Sequence, residues 1–380
     1  MAPDRGEGGS ALGGRPLGRV SRGVTSPANV PDGDDPAPKS PGSPGSQSLA
    51  GVWRQIAWSA LLALAVAVAV GAWSDWQRLA DAFRTFSWDA LPIAVGLTVV
   101  NASIRWVKWH YYCHRVGSRP TVRESAVIFI AGFALTVTPG KSGELLKAWF
   151  LSKRTGVPAW RAAPISIAER ATDGFAIIIL TGWGLTIIWD SWAPVALAVA
   201  GAVGGCAVLA VVGSASWTVP GWARPIEARV VAIPVVRRLV DRLEHRFRDV
   251  IVGAASIFDV RSLALAVGSG ILSWGAESVA LWYALIAFGL PADWSLMGYA
   301  LVALNAGTLA GAISLMPGGA GAADATIAAV LIGAVSHEVA GAATLIIRLC
   351  TVWFGAAIGI FALIALRDCF APAGPTPRAR

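Results

Sequence analysis

The chain has 380 residues, of which 55% are hydrophobic and 14% charged, and its mean hydropathy is +0.59. A soluble domain needs a polar exterior, so this composition excludes one and indicates an all-α polytopic membrane protein. The net charge of +8 would favour nucleic acid in a soluble chain, but here the basic residues gather between apolar segments, and no nucleic-acid partner is expected.

The N-terminal segment, residues 1–50, is rich in Pro, Gly, Ser and Asp and has almost no large apolar side chains. It cannot bury enough surface to offset the entropy lost on ordering, so it is predicted to be a disordered cytoplasmic tail. Residues 51–370 form the predicted membrane domain, and residues 371–380 form a second cytoplasmic tail.

Six apolar segments are long enough to cross a membrane with some tilt. They cover residues 56–73, 88–113, 162–189, 192–213, 261–289 and 339–366. Two more, 124–154 and 297–333, are broken in the middle by a Pro-Gly pair, and each half is predicted to be too short to cross comfortably. Each broken segment is therefore a re-entrant hairpin or a broken double crossing, and the sequence leaves both open.

The distribution of basic residues predicts the orientation. One side collects Arg54, Arg115, Arg119, Arg123, Lys153, Arg154, Arg161 and the basic loop 214–260, whereas the loops of the other side hold Arg78 and Arg84. The positive-inside rule then places both termini in the cytoplasm of a plasma-membrane protein. Within the long loop, apolar residues recur at helical spacing between arginines. This pattern predicts an amphipathic helix at about 235–258, either on the inner leaflet or packed on the protein itself.

The stretch TVTPGKSGELLKAW, residues 136–149, interrupts the first broken segment with charged residues. Gly140-Lys141-Ser142 ends like a P-loop, but Leu135 stands where that motif requires its first glycine. The spacing therefore excludes this nucleotide site.

A similar stretch occurs later in the chain. TPGKSGE at 138–144 matches MPGGAGA at 316–322, and each Pro-Gly pair is followed, 31 residues after its proline, by an arginine embedded in the next span. Three predicted spans separate the copies, so the two copies enter the membrane from opposite faces. This arrangement predicts an inverted-topology repeat, in which paired breaks mark a transport site.

The predicted site combines helix breaks with basic side chains. A helix end near Pro139 or Pro317 presents unpaired N–H groups that favour anions by about 0.3–1 kcal/mol each. The break residues are Pro139, Gly140, Gly143, Pro317, Gly318, Gly319 and Gly321, and the basic residues predicted to bind a head group or anion are Lys141, Lys147, Arg170 and Arg348. A phosphate or carboxylate group is the expected ligand.

Acidic residues in the same segments are predicted to be partners of these cations or carriers of protons. They are Glu144, Glu169, Asp173, Glu277 and Asp324. Charges at mid-membrane cost about 2.5–3.5 kcal/mol each, so such residues are usually functional; an internal salt bridge that only holds helices together is the alternative. Asn101, Arg105 and Asn305 are possible polar lining, although Arg105 would also be explained as a side chain that reaches the cytoplasmic surface.

No catalytic residue, metal site or cofactor is predicted. His110, Cys113 and His114 share one helical face, but no carboxylate or second cysteine completes a metal site. The four cysteines show no paired spacing.

The motifs PGKSGELLKAWFL, AERATDGFAI, MPGGAGAADA and LIIRLCTVWFG resemble those of the lysylphosphatidylglycerol synthase transmembrane region. This flippase-like family includes the membrane part of the multiple peptide resistance factor, and the resemblance covers about residues 55–367. It implies a flippase fold with two re-entrant elements. Relatives commonly carry a glutamate where this chain has Asp324, and about 14 residues follow the last span, so lysyl transfer to lipid is not expected of this chain.

The sequence is compatible with three functions. The leading hypothesis is a flippase or scramblase for a phospholipid, an aminoacyl-phospholipid or a polyprenyl-phosphate-linked lipid. The alternatives are a secondary transporter of a small soluble anion and a membrane-embedded lipid-modifying enzyme. A DedA-like transporter fold is an alternative architecture, and assembly into a homo-oligomer is left open.

Overall fold

The computed structural model describes residues 76–136, 143–214 and 249–370, with four single positions between 54 and 65. These ranges contain helices and no strand. The helices are α1 (Trp76–Thr85), α2 (Ala90–Arg115), α3 (Val122–Thr136), α4 (Gly143–Thr155), α5 (Ala159–Trp189), α6 (Ala193–Ser214), α7 (Val260–Ile286), α8 (Trp294–Ile313), α9 (Ala322–Leu331), α10 (His337–Arg348) and α11 (Phe354–Ala365). A π-helical turn, Leu349–Trp353, joins α10 to α11.

Six helical segments in these ranges are long and apolar enough to cross a membrane: α2, α5, α6, α7, α8 and the continuous α10–α11. The prediction of an all-α, multi-pass membrane protein is thereby confirmed. Five of the six coincide with predicted spans. Apart from three single positions, the predicted span 56–73 lies outside the described residues, as do the tails and most of the predicted amphipathic helix at 235–258. Of that helix, residues 249–258 are described, and 249–257 are helical.

The sixth segment, α8, corrects the prediction for the second broken segment. Its 20 residues, Trp294–Ile313, rise about 30 Å, which is enough to cross, so this half is not too short. The side chain of Asp293 accepts a hydrogen bond from the Leu296 N–H at 2.7 Å and starts the helix before the apolar run begins. Only α9, with 10 residues, is short.

The first broken segment consists of two short helices, as predicted. Helix α3 has 15 residues and α4 has 13, and the connection 137–142 between them lies outside the described ranges. The reciprocal cap between Thr121 and Glu124 begins α3, because each accepts a hydrogen bond from the other's backbone N–H. Whether the two broken segments form an inverted repeat stays a prediction.

Helices α2 and α7 pack side by side and organise the domain. An ion pair between Arg115 Nη2 and Asp259 Oδ2, 2.5 Å apart, joins the end of α2 to the start of α7, so the two helices run antiparallel. Burial acts to raise the pKa of Asp259, but hydrogen bonds from Ser262 and the charge of Arg115 outweigh it, and the pKa lies below its ordinary value. This carboxylate therefore stays ionised and caps α7 through the Ser262 N–H.

Two apolar clusters lie at opposite ends of the α2–α7 pair. One cluster, which includes Ala94 and Leu281, joins α2 and α7 to α1, α8, α9 and α10. The other, which includes Trp109 and Leu263, joins them to α3, α4, α5 and α11. Between the two clusters lies a polar band, defined here by Asn101, Arg105, Lys108, Glu169, Thr172, Asp173, Ser273 and Glu277, close to the middle of α2, α5 and α7.

Close backbone contact between α5 and α8 supports the wall beside this band. A Cβ added at Gly184 would lie 2.7 Å from the Gly298 carbonyl oxygen and 2.9 Å from Leu301 Cβ. We expect Gly184→Ala to destabilise the protein by about 1–3 kcal/mol, because the added methyl forces the two helices apart. Gly174→Ala on the same helix is the control, since no atom lies within 4 Å of the added Cβ.

Thermal unfolding in detergent measures both variants. If Gly184→Ala and wild type unfold at the same temperature, the α5–α8 contact accommodates the added methyl group without loss of stability. The control should match wild type or rise slightly, because alanine is the better helix former.

Candidate functional site

A cavity of about 350 Å³ opens between the helices beside the polar band. Its wall is built from α2, α3, α4, α5, α7, α8, α9, the second break and α10–α11. The polar and charged lining residues are Thr98, Asn101, Ser103, Arg105, Lys147, Arg170, Glu277, Thr308, Arg348 and Thr351. Three of the four predicted basic residues, Lys147, Arg170 and Arg348, thus line one space although they come from three different helices.

Arg348 binds the second break. Its Nε lies 2.8 Å from Asp324 Oδ1, and its Nη2 donates to the carbonyl oxygen of Gly318 at 2.6 Å. The side chain is 16% exposed, and the residue lines the cavity. The guanidinium therefore fixes the break while one edge of the residue faces the cavity, and the two features that the 31-residue spacing linked are in direct contact.

The second break differs in detail from the predicted helix end. Pro317–Gly319 is a single 3₁₀ turn, and α9 begins later, at Ala322. Gly318 and Gly319 have φ of 60° and 70°, and a Cβ on Gly319 would lie 3.0 Å from Gly311 Cα, so glycine suits both the conformation and the close contact. The Gly321 N–H donates to Asp324 Oδ2 at 2.8 Å. At least one N–H of this helix end is thus taken by the protein rather than left for an anion.

Lys147 is held on a separate side of the cavity. Its Nζ lies 2.7 Å from Glu169 Oε2, and the two side chains are only 6% and 3% exposed. The ammonium also lies over the rings of Trp109, at 4.6 Å from the centroid, and Phe129, at 5.6 Å. One carboxylate and two aromatic rings thus compensate the burial of this ammonium.

Asp173 forms ion pairs with two basic side chains of α2. It pairs with Lys108 and, at 3.6 Å, with Arg105 Nη2, while the Arg105 guanidinium lies 5.2 Å from the Trp274 ring centroid. Arg105 is 13% exposed and lines the cavity, so it does not reach the surface as the alternative supposed. Sequence reasoning missed Lys108. A signal was present, because Asn101, Arg105, Lys108 and Tyr112 recur at helical spacing on one face of α2.

Glu277 is the one predicted acidic residue, among those whose side chains are described, that lines the cavity. Asn101 Nδ2 donates to its Oε2 at 2.8 Å and to the Ser273 carbonyl oxygen at 2.9 Å. Glu169, Asp173 and Asp324 lie behind the lining as partners of basic residues. Asn305 also lies behind the wall, where it donates to Ser278 Oγ at 2.9 Å.

Several of the remaining predicted residues lie outside the part of the chain that the structure describes. Lys141, Pro139 and Gly140 lie in the connection outside the described ranges, as does the side chain of Glu144. Gly143 is the first residue of α4, and Pro317 is the first residue of the 3₁₀ turn. Within the described ranges, no group of three or more His, Cys, Asp or Glu side chains is arranged to hold a metal ion.

The remaining lining of the cavity is mostly apolar. It comprises Val99, Ala102, Trp106, Ala126, Phe129, Ile130, Gly132, Phe133, Trp274, Leu304, Gly311, Ala312, Gly318, Gly319, Ala323, Ile327, Val352, Phe354, Gly355 and Ile358. Basic side chains and apolar walls therefore share one space, which suits a ligand that is itself amphipathic.

Comparison with known proteins identifies the family of this chain. The profile of the lysylphosphatidylglycerol synthase TM region matches residues 60–359, most of the chain. The chain belongs to this family. It is also similar to two proteins of the archaeon Methanothermobacter thermautotrophicus strain Delta H, each named a UPF0104 membrane protein. One is 24% identical over 80% of this chain and 90% of the relative, and the other is 27% identical over 75% and 88%. The family resemblance noted in the motifs is confirmed.

Gly132 leaves the space that Lys147 occupies. A Cβ added there would lie 2.8 Å from Lys147 Cδ and 3.2 Å from its Cγ. The lysine is held between Glu169 and aromatic rings, so we expect Gly132→Ala to displace the ammonium. The added methyl group and the displaced ammonium should together destabilise the protein by about 1–3 kcal/mol.

Gly355→Ala is the matched control, because it adds a methyl group to the same cavity with its nearest neighbour, Phe133, at 3.8 Å. The midpoint of thermal unfolding in detergent should fall much further in Gly132→Ala than in Gly355→Ala. Equal losses would show that lost volume, and not the position of Lys147, is responsible.

Proposed function

We propose that this chain is a flippase or scramblase that moves a phosphate-bearing lipid across the membrane. The observation that carries the proposal is the shared cavity: Lys147, Arg170 and Arg348 line it together, and most of its other lining residues are apolar. A lipid phosphate would contact the basic side chains, while the acyl or polyprenyl chain would contact the apolar wall.

Arg105 strengthens the electrostatic side of this argument. Among the described side chains of the band, the cavity and the second break, the basic residues Arg105, Lys108, Lys147, Arg170 and Arg348 outnumber the acidic residues Glu169, Asp173, Glu277 and Asp324 by one. A net positive charge in a low-dielectric site attracts a phosphate far more strongly than it would in water.

The apolar wall favours a lipid over a small soluble anion. Phe133, Ile327 and Ile358 face the cavity together with the cations. A water-soluble anion gains nothing from this apolar lining, whereas a lipid keeps its chain there while its head group crosses. We propose a transporter rather than a lipid-modifying enzyme, set in the plasma membrane with cytoplasmic termini, as the distribution of basic residues predicts.

A liposome assay tests the proposal. Purified protein is reconstituted, and the movement of fluorescent phosphatidylglycerol, lysylphosphatidylglycerol and a polyprenyl phosphate between leaflets is followed, alongside uptake of inorganic phosphate. We expect movement of at least one lipid and no uptake of free phosphate. Uptake of free phosphate without lipid movement would instead identify a soluble-anion transporter.

Arg170→Gln tests whether the cavity is the path. We expect at least tenfold slower movement of the transported lipid, because a hydrogen bond to a charged group contributes about 1.5–3 kcal/mol. Arg84→Gln is the matched control, since Arg84 is 80% exposed and pairs with Asp81 on α1. Equal rates of lipid movement in the two variants would show that Arg170 does not take part in transport.

A further inference from the structure

We propose that Glu277 is the proton-binding site of the cavity and takes up one proton when a lipid phosphate enters. This inference rests on the proposed function and adds the ion that accompanies the lipid. Its starting point is a contrast among the buried carboxylates. Glu169, Asp173 and Asp324 each have a basic nitrogen within 4 Å.

Glu277 has no such ion pair among the described residues. Its hydrogen-bond partner is the neutral amide of Asn101, 2.8 Å from Oε2, although the residue is only 7% exposed. An ionised carboxylate buried beside an amide is poorly compensated, whereas a protonated one is neutral and keeps the same hydrogen bond. Glu277 can therefore exist in two protonation states without a change in its protein contacts.

The charged groups around Glu277 set the balance between these states. Arg105 on α2 and Arg348 on α10 line the same cavity as Glu277, and Asp173 on α5 pairs with Arg105. Positive charges near a carboxyl group favour its ionised form, and a negative charge opposes it. Arg170, also on α5, lines the same cavity. Helices α6 and α8, which also pack against α7, contain no acidic, basic or histidine residue. The two cations near Glu277 are thus also the cations that a phosphate would use.

A bound phosphate changes this balance. It places negative charge in the space shared by Arg105, Arg348 and Glu277, and a like charge favours the protonated form of a carboxylic acid. The proton comes from water on the side where the lipid enters, forms one O–H bond on Glu277, and returns to water where the lipid leaves. One proton then crosses with each head group, so a proton gradient drives lipid in its own direction.

The test uses fluorescent phosphatidylglycerol with the full-length protein in vesicles. With one proton per lipid, a gradient of one pH unit is worth about 1.4 kcal/mol, which corresponds to a ratio between leaflets of up to about tenfold. We expect this accumulation in wild type and its loss in Glu277→Gln. Glu338→Gln, which changes a carboxylate that is 23% exposed and outside the cavity, should behave as wild type.

Calorimetry of the same lipid in short-chain form, in two buffers of different ionisation enthalpy, gives a second readout. Wild type and Glu277→Asp should take up about one proton per bound lipid, and Glu277→Gln none. Wild type that moves lipid with neither proton uptake nor accumulation overturns the proton site and leaves the proposed function intact. Proton uptake retained in Glu277→Gln also overturns it. Wild type that moves none of phosphatidylglycerol, lysylphosphatidylglycerol and the polyprenyl phosphate refutes the proposed function itself.

Discussion

Arg348→Gln is expected to slow lipid movement at least tenfold and to destabilise the second break. The guanidinium holds the Asp324 carboxylate at 2.8 Å and the Gly318 carbonyl oxygen at 2.6 Å while the residue lines the cavity. Removing it leaves a largely buried carboxylate without its cation, which costs about 3–5 kcal/mol. It also removes a charged contact for the phosphate, which slows transport by about one to two orders of magnitude.

A second variant separates the two effects. Arg348→Gln combined with Asp324→Asn contains no unpaired charge, and the amide that replaces the carboxylate still offers an oxygen to the Gly321 N–H. Thermal stability should recover in this pair while transport stays slow. Arg78→Gln is the control for the substitution, because Arg78 forms an exposed ion pair with Glu338. Recovery of transport together with stability would reduce Arg348 to a structural support for the break.

Asp173→Asn is expected to produce the largest loss of stability. The carboxylate is 4% exposed and compensates both Lys108, which is 2% exposed, and Arg105. Without it, two cations in the middle of the membrane domain lose their partner, at a cost of about 3–5 kcal/mol. Thermal unfolding in detergent should show a clearly lower midpoint. Asp190→Asn on the same helix is the matched control, because Asp190 is exposed at the helix end with φ of 49°, a conformation that asparagine also adopts.

The coupling within this cluster can be measured directly. Lys108→Met removes one cation and leaves Asp173 with Arg105, so its cost should be smaller. The double variant Asp173→Asn, Lys108→Met should be more stable than the sum of the single effects predicts, by at least about 1 kcal/mol. Additive effects would mean that Lys108 and Asp173 do not stabilise each other.

The spans were largely predictable because hydrophobic length is a local property. Runs such as 162–189 and 192–213 correspond closely to α5 and α6. The length of α8 was misjudged because its cap, Asp293, precedes the apolar run by several residues. A cap of this kind is a polar residue in a loop, and hydropathy alone does not count it as part of a span.

The candidate site was predictable in its cations but not in its pairings. An arginine in a span is costly, so Arg170 and Arg348 were recognisable from sequence. Which carboxylate faces which cation depends on how helices pack: Lys108 meets Asp173 only because α2 lies beside α5. The contact of Arg348 with a carbonyl group, rather than only with ligand, likewise depends on the positive φ of the glycines at the break.

The π-helical turn Leu349–Trp353 gives the chain tolerance to a change of length at this point. A π turn contains one residue more than an α turn, so losing one of these five residues would let the segment close as a regular α-helix with little rotation of α11 relative to α10. Arg348 would keep its contact with Asp324, and Gly359 would keep its contact with Ala134 on α3. We therefore expect homologous chains to lose one residue here more readily than in the regular helices on either side, where a deletion rotates one flank against the other by about 100°.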